Sequence, residues 1–404
     1  MTKKSAMQRR ALLLSTAALA ALAIALPLSP AQAQSKEPLK IGVIMPMTGF
    51  GAPTGVSSEV GLKMAIEDVN KAGGILGRPV TYTLYDDQFD PTQSVSLAKR
   101  LISSDKAEII IGPQAGQLAL AVMPIMTEAN IAYFTAGSPT GVTVAQGPTF
   151  FSVQISAEEQ VAAMVDWAIN VKKAKTIAFL GDGGGNGKAM AERFKTYVVE
   201  KGVKGILEQY EQPSTDMTPQ LFALRRQNPD IIAFQASTVP DEATFLKNID
   251  QIGWNVATVH SATFTALYGP VLKAAGPEAI KHATGAVQIK SFTYCTNDPV
   301  GVSPYAKFLE RIKAAYPANN DQIAKSLAAW TYDSVMLAKA SADGAGSTEG
   351  RKMAAWLENN TVKSLTGDLR ATKDTHFLGS ATTATVIEDP GSLRADGMTK
   401  RSGC

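Results

Sequence analysis

The 404 residues carry 39 basic and 36 acidic side chains, with 45% apolar and 19% charged residues. Such a composition excludes a disordered chain, and its near-neutral balance gives nucleic acid no basic footprint to bind. A chain of this length is expected to divide into two domains rather than build one core.

The opening residues read as an export signal. Lys3, Lys4, Arg9 and Arg10 precede an apolar run, Ala11–Leu28, and Ala31-Gln32-Ala33 has the small-x-small form of a signal-peptidase site. A transmembrane anchor is the alternative, and Pro27, Pro30 and the cleavage pattern weigh against it. Arg9-Arg10 leaves the export route open between the general and the twin-arginine pathway. Removing those four of the 39 cations leaves 35 against 36 acidic residues. No cysteine adjoins the cut, so no lipid anchor is expected there, and no later run is long enough to span a bilayer.

Leu39–Met45 is apolar without a polar face, as in a parallel strand buried on both sides. A loop of small residues, Thr48–Gly55, follows. Ser57 or Ser58 is expected to cap a helix with Leu62, Ala65, Ile66 and Val69 on one face, ended by Gly73-Gly74. Val80, Tyr82 and Leu84 alternate in a second strand that stops at Asp86-Asp87. Further strands begin near Glu108, Ile131, Thr176, Gly205, Asp230 and Val256, with helical patterns at 92–103, 117–129, 187–202, 217–228 and 241–253 between them. This alternation predicts parallel sheets with helices on both faces. Ser156-x-x-Glu159 is a capping box, and it opens the helix that separates the two series. The fold class is therefore α/β, with two similar doubly wound lobes.

Several stretches together resemble the leucine/isoleucine/valine-type periplasmic binding proteins, the solute receptors of ABC importers. They are P-x-T-G-x-x-A-x-x-G at 46–55, N-K-A-G-G-I-x-G-R at 70–78, D-D-Q-x-D-P at 86–91 and I-I-I-G-P at 109–113. The resemblance implies that the helices at 304–316, 323–342 and 348–359 return to the first lobe, and that the strands around 376–387 return to the second. The lobes would then be 34–155 plus 290–370 and 156–289 plus 371–404, after a signal peptide at 1–33. Three crossings, near Val153–Ser156, Ile289–Phe292 and Gly367–Lys373, would form a hinge about which the lobes close. The resemblance also brings the segments holding Cys295 and Cys404 towards the hinge side. In an oxidising compartment these two cysteines either pair or remain as two thiols.

Gly181–Lys188 follows a strand and opens a helix, as phosphate loops do, but Asp182 and Ala189 stand where a Walker loop needs Gly and Ser or Thr. Asn186 replaces the third glycine of the dinucleotide pattern, so neither nucleotide nor other cofactor is expected. No G-x-S-x-G occurs, and His260, His282 and His376 lie in unrelated contexts that suggest neither catalysis nor a metal site.

In the implied fold the strand-end loops of both lobes line a cleft. The first lobe would contribute Phe50, Thr54, Gln114, Ala115, Gly116, Gln117, Thr135, Ala136, Gly137 and Ser138. The second would contribute Gly185, Asn186, Ser237, Thr238, His260, Thr263 and Phe264. Hydroxyls, amides and glycine-exposed N–H groups hold an anion or a neutral polar group without burying a charge. The amino-acid-binding members place carboxylates around the ligand ammonium. At the corresponding positions stand Ala157 and the neutral stretch Ser261–Phe264, although Glu158 or Glu159 could compensate by a shift of one turn. The family's pocket serine after Gly-Pro is likewise replaced, by Ala115-Gly116. The sequence thus predicts a monomeric periplasmic receptor that takes a small polar or carboxylate solute and hands it to a membrane permease. An amino-acid receptor proper, a ligand sensor of the same fold and an α/β enzyme are the alternatives.

Overall fold

A computed structural model describes residues 37–139, 141–379 and 383–404, with Gly185 and Asn186 described by their backbone alone. The expected signal peptide, 1–33, lies outside the described residues. In chain order the first series is β1 (Leu39–Met45), α1 (Ala52–Lys71), β2 (Val80–Asp86), α2 (Pro91–Ser103), β3 (Ile109–Ile111), α3 (Gly116–Glu128), β4 (Tyr133–Thr135) and β5 (Phe150–Ile155). The second runs α4 (Ala157–Asn170), β6 (Thr176–Asp182), α5 (Gly185–Glu200), β7 (Lys204–Tyr210), α6 (Thr218–Arg225), β8 (Ile231–Gln235) and α7 (Val239–Gln251). It closes with β9 (Ala257–His260), α8 (Ala262–Ala266), α9 (Tyr268–Ala275) and β10 (Ala286–Ile289). The capping box is in place, with Glu159 N–H donating to Ser156 Oγ and Ser156 N–H to Glu159.

The chain returns through β11 (Thr293–Tyr294), α10 (Pro304–Ala315), α11 (Lys325–Ala345), α12 (Gly350–Leu357) and the hairpin strands β12 (Val362–Lys363) and β13 (Asp368–Leu369). It ends in β14 (Phe377–Gly379), β15 (Ala384–Ile387) and β16 (Thr399–Lys400). One six-stranded parallel sheet has the order β14-β5-β4-β3-β1-β2. The other is β15-β10-β9-β8-β6-β7, parallel except at β15. Its β1 counterpart, β6, is buried along almost its whole length, as a helix layer on each face requires.

Two expectations are corrected. Helix α1 begins at Ala52, not after Ser57. Pro53 fits the first turn, where its missing N–H is no loss, and Gly55 lies so close to Pro46 that a Cβ would overlap the Pro46 carbonyl. Ser57 and Ser58 are buried inside the helix, and Ser57 Oγ accepts from Ala324 N–H at the entry to α11. Second, Phe377–Gly379 joins the first sheet rather than the second. Phe377 packs edge-on against Phe150 and His376 stacks on Phe151 at 4.7 Å, which buries this segment beside β5. The expected crossing Gly367–Lys373 thus starts in the β12–β13 hairpin and leads to β14 of the first sheet, while β15 belongs to the second sheet. Cys295 and Cys404 form a disulfide next to the short β11–β16 ladder.

Candidate functional site

The ends of both parallel sheets face a cleft that narrows to a cavity of about 60 Å³. Across it, α3 touches α5, the Gly49–Gly51 turn touches α7, and α11 touches α8. Gly141 N–H also donates to Glu158 at 3.1 Å, so the lobes are closed on each other.

Of the residues expected at the cleft, Thr54, Gln114, Ala115, Gly116, Ala136, Gly137 and Ser138 line the cavity from the first lobe, and Ser237 and Thr263 from the second. Helix α3 starts in the cavity wall at Gly116, and its N-cap, Ala115, has no side chain able to cap it. Its first N–H groups therefore receive no acceptor from an N-cap side chain. Gln114 Oε1 accepts from Ala136 N–H at 3.0 Å, fixing the two turns against each other, and Ser138 Oγ donates to the Ile155 carbonyl at 2.9 Å, tying the second turn to the end of β5.

Phe50, Gln117, Thr135, Thr238, His260 and Phe264, also expected there, do not line it. Thr135 is one layer back, its hydroxyl bridging the Pro113 carbonyl and Gly137 N–H and so shaping the turn that does. Thr238 caps α7 and Gln117 is half-buried in the first turn of α3. Phe50 is 41% exposed and rests on Phe89 with ring centres 5.0 Å apart. Gly185 and the backbone of Asn186 open α5; the Asn186 side chain lies outside the described atoms.

His260 was expected to face the cleft, and it is instead fully buried. Its Nδ1 lies 2.8 Å from Glu242 Oε2 and its Nε2 3.1 Å from Thr258 Oγ1. Phe234, Phe245 and Phe264 enclose the ring, and Phe264 is itself fully buried there. Burial pushes the Glu242 carboxyl up, and the imidazole opposes that shift. A buried partner on α7 and three aromatic neighbours hold this end of β9 in the core, which periodicity within β9 could not reveal.

Phe89, Gln154, Gln160, Met190, Gln235, Leu327 and Trp330 complete much of the wall and were not foreseen. Phe89 had a signal in the D-D-Q-x-D-P stretch. Gln88 and Phe89 both take left-handed backbone, φ 53 and 64, a cost of about 1–3 kcal/mol each. The acids around them hold that turn: Asp86 accepts from Met47 and Gln88 N–H, Asp87 from Phe89 N–H and Ser94 Oγ, and Asp90 caps α2. The motif is a scaffold that sets Phe89 in the cleft.

The lining includes no Asp, Glu, Lys, Arg or His among the described residues. Ala157 is fully buried in the second-lobe core rather than at the cavity, so its comparison with an ammonium-binding position fails on geometry. Neither neighbour compensates, since Glu158 holds Gly141 N–H and Glu159 completes the capping box. Gln154 and Gln160, one on each side of the crossing, stand at the wall instead, and Gln160 Oε1 accepts from Ala262 N–H at 2.9 Å. Behind Ser237 lies Asp182, which accepts from Ser237 Oγ at 3.1 Å and from Gly184 N–H at 3.0 Å. Burial pushes its carboxyl above the usual range, against the pull of Gln235 and Ser237.

Two α/β lobes closed over a small uncharged cavity at their strand ends define a bilobal ligand-binding protein. A sequence profile described as periplasmic binding protein matches residues 38–391. The chain belongs to the periplasmic binding protein family. It is 25% identical over 340 residues to an amino acid binding protein of Pseudomonas aeruginosa, covering 81% of this chain and 84% of that one. Its fold matches the branched-chain amino acid transporter substrate binding protein LivJ of Streptococcus pneumoniae in complex with isoleucine (TM-score 0.74, 19% identity, 90% and 99% of the two chains). It matches equally a solute binding protein of an ABC transporter from Rhodopseudomonas palustris in complex with p-hydroxybenzoic acid (TM-score 0.74, 19% identity, 90% and 96%).

Proposed function

We propose that this protein is a periplasmic receptor of an ABC importer that binds a small carboxylic acid lacking an ammonium group and delivers it to a membrane permease. The observation that carries the reading is the cavity wall, in which amides, hydroxyls and an uncapped helix N-terminus stand without any charged side chain among the described residues. A carboxylate is stabilised by the α3 N–H groups and their dipole without a buried cation. An ammonium in the same cavity would meet no fixed counter-charge, a deficit of about 3 kcal/mol or about a hundredfold in affinity. Acid-binding solute receptors occur among the fold neighbours, which supports the reading. The rival reading, an amino-acid receptor, has one feature in its favour: Asp182 hydrogen-bonds the lining residue Ser237.

Calorimetry with paired ligands separates the two. 4-Methylpentanoate, 3-phenylpropanoate and 4-hydroxybenzoate should bind far more tightly than leucine or phenylalanine, by about a hundredfold. Gln160→Glu keeps the oxygen that accepts from Ala262 N–H and adds a charge at the wall. That variant should move the preference towards amino acids. Tight leucine binding that Asp182→Asn abolishes would replace the acid reading with the rival.

A further inference from the structure

Behind the solute cavity lies a second one of about 100 Å³. Ala266 of α8 borders both, and the first turn of α11 divides between them: Leu327 lines the solute cavity, Lys325 and Ser326 the second. Thr265 and Gln288 of β10 enter this second wall from one lobe, Tyr305 of α10 and the start of α11 from the other. Helix α11 is 21 residues long, its N-cap is Ala324, and its first turn holds no acidic side chain. The positive end of its dipole therefore stands at the cavity without a side-chain acceptor. Lys325, the first helical residue, adds a cation where the dipole already disfavours one. Its Nζ donates to the Asn320 carbonyl at 2.8 Å. Asp321 attracts it from beyond ion-pair distance, and burial still pushes the ammonium below its ordinary value.

Gln288 supplies a separate observation. It is 5% exposed, and its Oε1 accepts from Ile289 N–H at 2.9 Å, which fixes the amide and turns Nε2 away from that N–H. Nε2 has no partner among the described residues, yet it is not sealed off, so its two N–H donors are open to the cavity. An ammonium, a free amide N–H₂ and an uncapped helix N-terminus thus line one cavity, and all of them call for an acceptor.

We propose that this cavity is a second binding site, for a compact oxyanion, and that its occupant holds the lobes closed. An anion with several oxygens accepts from Lys325, Gln288 and the α11 N–H groups together, which no single neutral acceptor does. Inorganic phosphate, sulfate and short carboxylates share that chemistry. Because the wall is built from both lobes, occupancy favours the closed form that also encloses the solute. The site does not depend on what the solute is.

Calorimetry in chloride-free HEPES, with sodium phosphate, sulfate and acetate as probes, should show saturable binding of one anion per chain. Lys325→Gln should weaken it by at least about tenfold, as loss of a hydrogen bond to a charged group implies. Gln288→Glu keeps the oxygen for Ile289 N–H and sets a carboxylate against the anion, so it should abolish binding. Lys313→Gln removes the same charge from an exposed position on α10 and should stay within about twofold, since exposed charges are screened. Unfolding transitions check each fold, and Lys325→Gln, at a half-buried position, decides the matter if Gln288→Glu does not fold. Phosphate or sulfate binding above acetate assigns an inorganic occupant, and the reverse an organic acid. Small-angle X-ray scattering should show a smaller radius of gyration with the anion than without it. No saturable binding of any probe, binding that Lys325→Gln leaves intact, or an equal loss in Lys313→Gln would overturn the site; an unchanged radius would overturn its role in closure.

Discussion

At the scale of single residues, buried carboxylates are used as anchors for backbone. Asp333 on α11 is fully buried and accepts from Leu365 and Thr366 N–H and from the Thr366 hydroxyl. It thereby ties α11 to the turn before β13, and Ser291 Oγ donates to the Thr366 carbonyl from the neighbouring crossing. Burial pushes the Asp333 carboxyl up to about 6, against the pull of its donors. A folded-state value raised above the unfolded one gives stability that is complete below about pH 4 and is lost as the pH rises through about 6. The shift of about two pH units amounts to about 3 kcal/mol. Asp333→Asn cannot titrate. Urea unfolding at pH 4 and pH 7 should show a difference between the two pH values that is smaller in the variant by about that amount, whatever its absolute loss of stability.

At the scale of elements, the contact that fixes the first lobe is α1 against α11. Gly61 lies so near the Ala328 carbonyl that a Cβ would overlap it, and the neighbouring α11 residues Ala328, Ala329 and Trp330 are fully buried. Helix α11 carries Leu327 and Trp330 into the cavity wall, so the spacing of this helix pair sets the width of the cleft as well as the packing. Gly61→Ala should force the helices apart and cost about 1–3 kcal/mol, the usual range for overpacking a filled core. Chemical denaturation gives the stability loss, and calorimetry of the same sample should show weaker solute binding, since Trp330 is displaced with its helix.

At the scale of the whole molecule, the C-terminal segment adds a covalent tie beside the linker that leaves the second sheet after β10. The disulfide links Cys295, just after β11, to Cys404 across a separation of 109 residues. Closing a loop that long restricts the unfolded chain, so Cys295→Ser or Cys404→Ser should cost about 2–4 kcal/mol. Guanidinium unfolding with and without reductant measures it. Arg401 adds hydrogen bonds to Thr293 and the Lys290 carbonyl, which hold the tail on the linker after β10 even when the bond is reduced. Solute affinity should therefore change little in the cysteine variants.

The sequence by itself determined the layers and their order, because burial on both faces of a parallel strand leaves an unbroken apolar run and each helix keeps its own period. It also determined that the cleft would be rich in amides and hydroxyls, since strand-end loops such as 114–117 and 135–138 can be read locally. Tertiary structure decided which of those side chains reach the cavity. His260 and Phe264 were withdrawn into a cage formed with Phe234, Phe245 and Glu242, residues 15–30 positions distant that no local pattern connects to them. Phe377 crossed to the first sheet because Phe150 and Phe151 offered apolar partners there, a long-range choice between two equally strand-like segments. Trp330 reads in sequence as one more apolar position on a helix. Only tertiary structure brings it to the cavity wall, because that wall is assembled in space from α11 and strand-end loops that lie far apart along the chain.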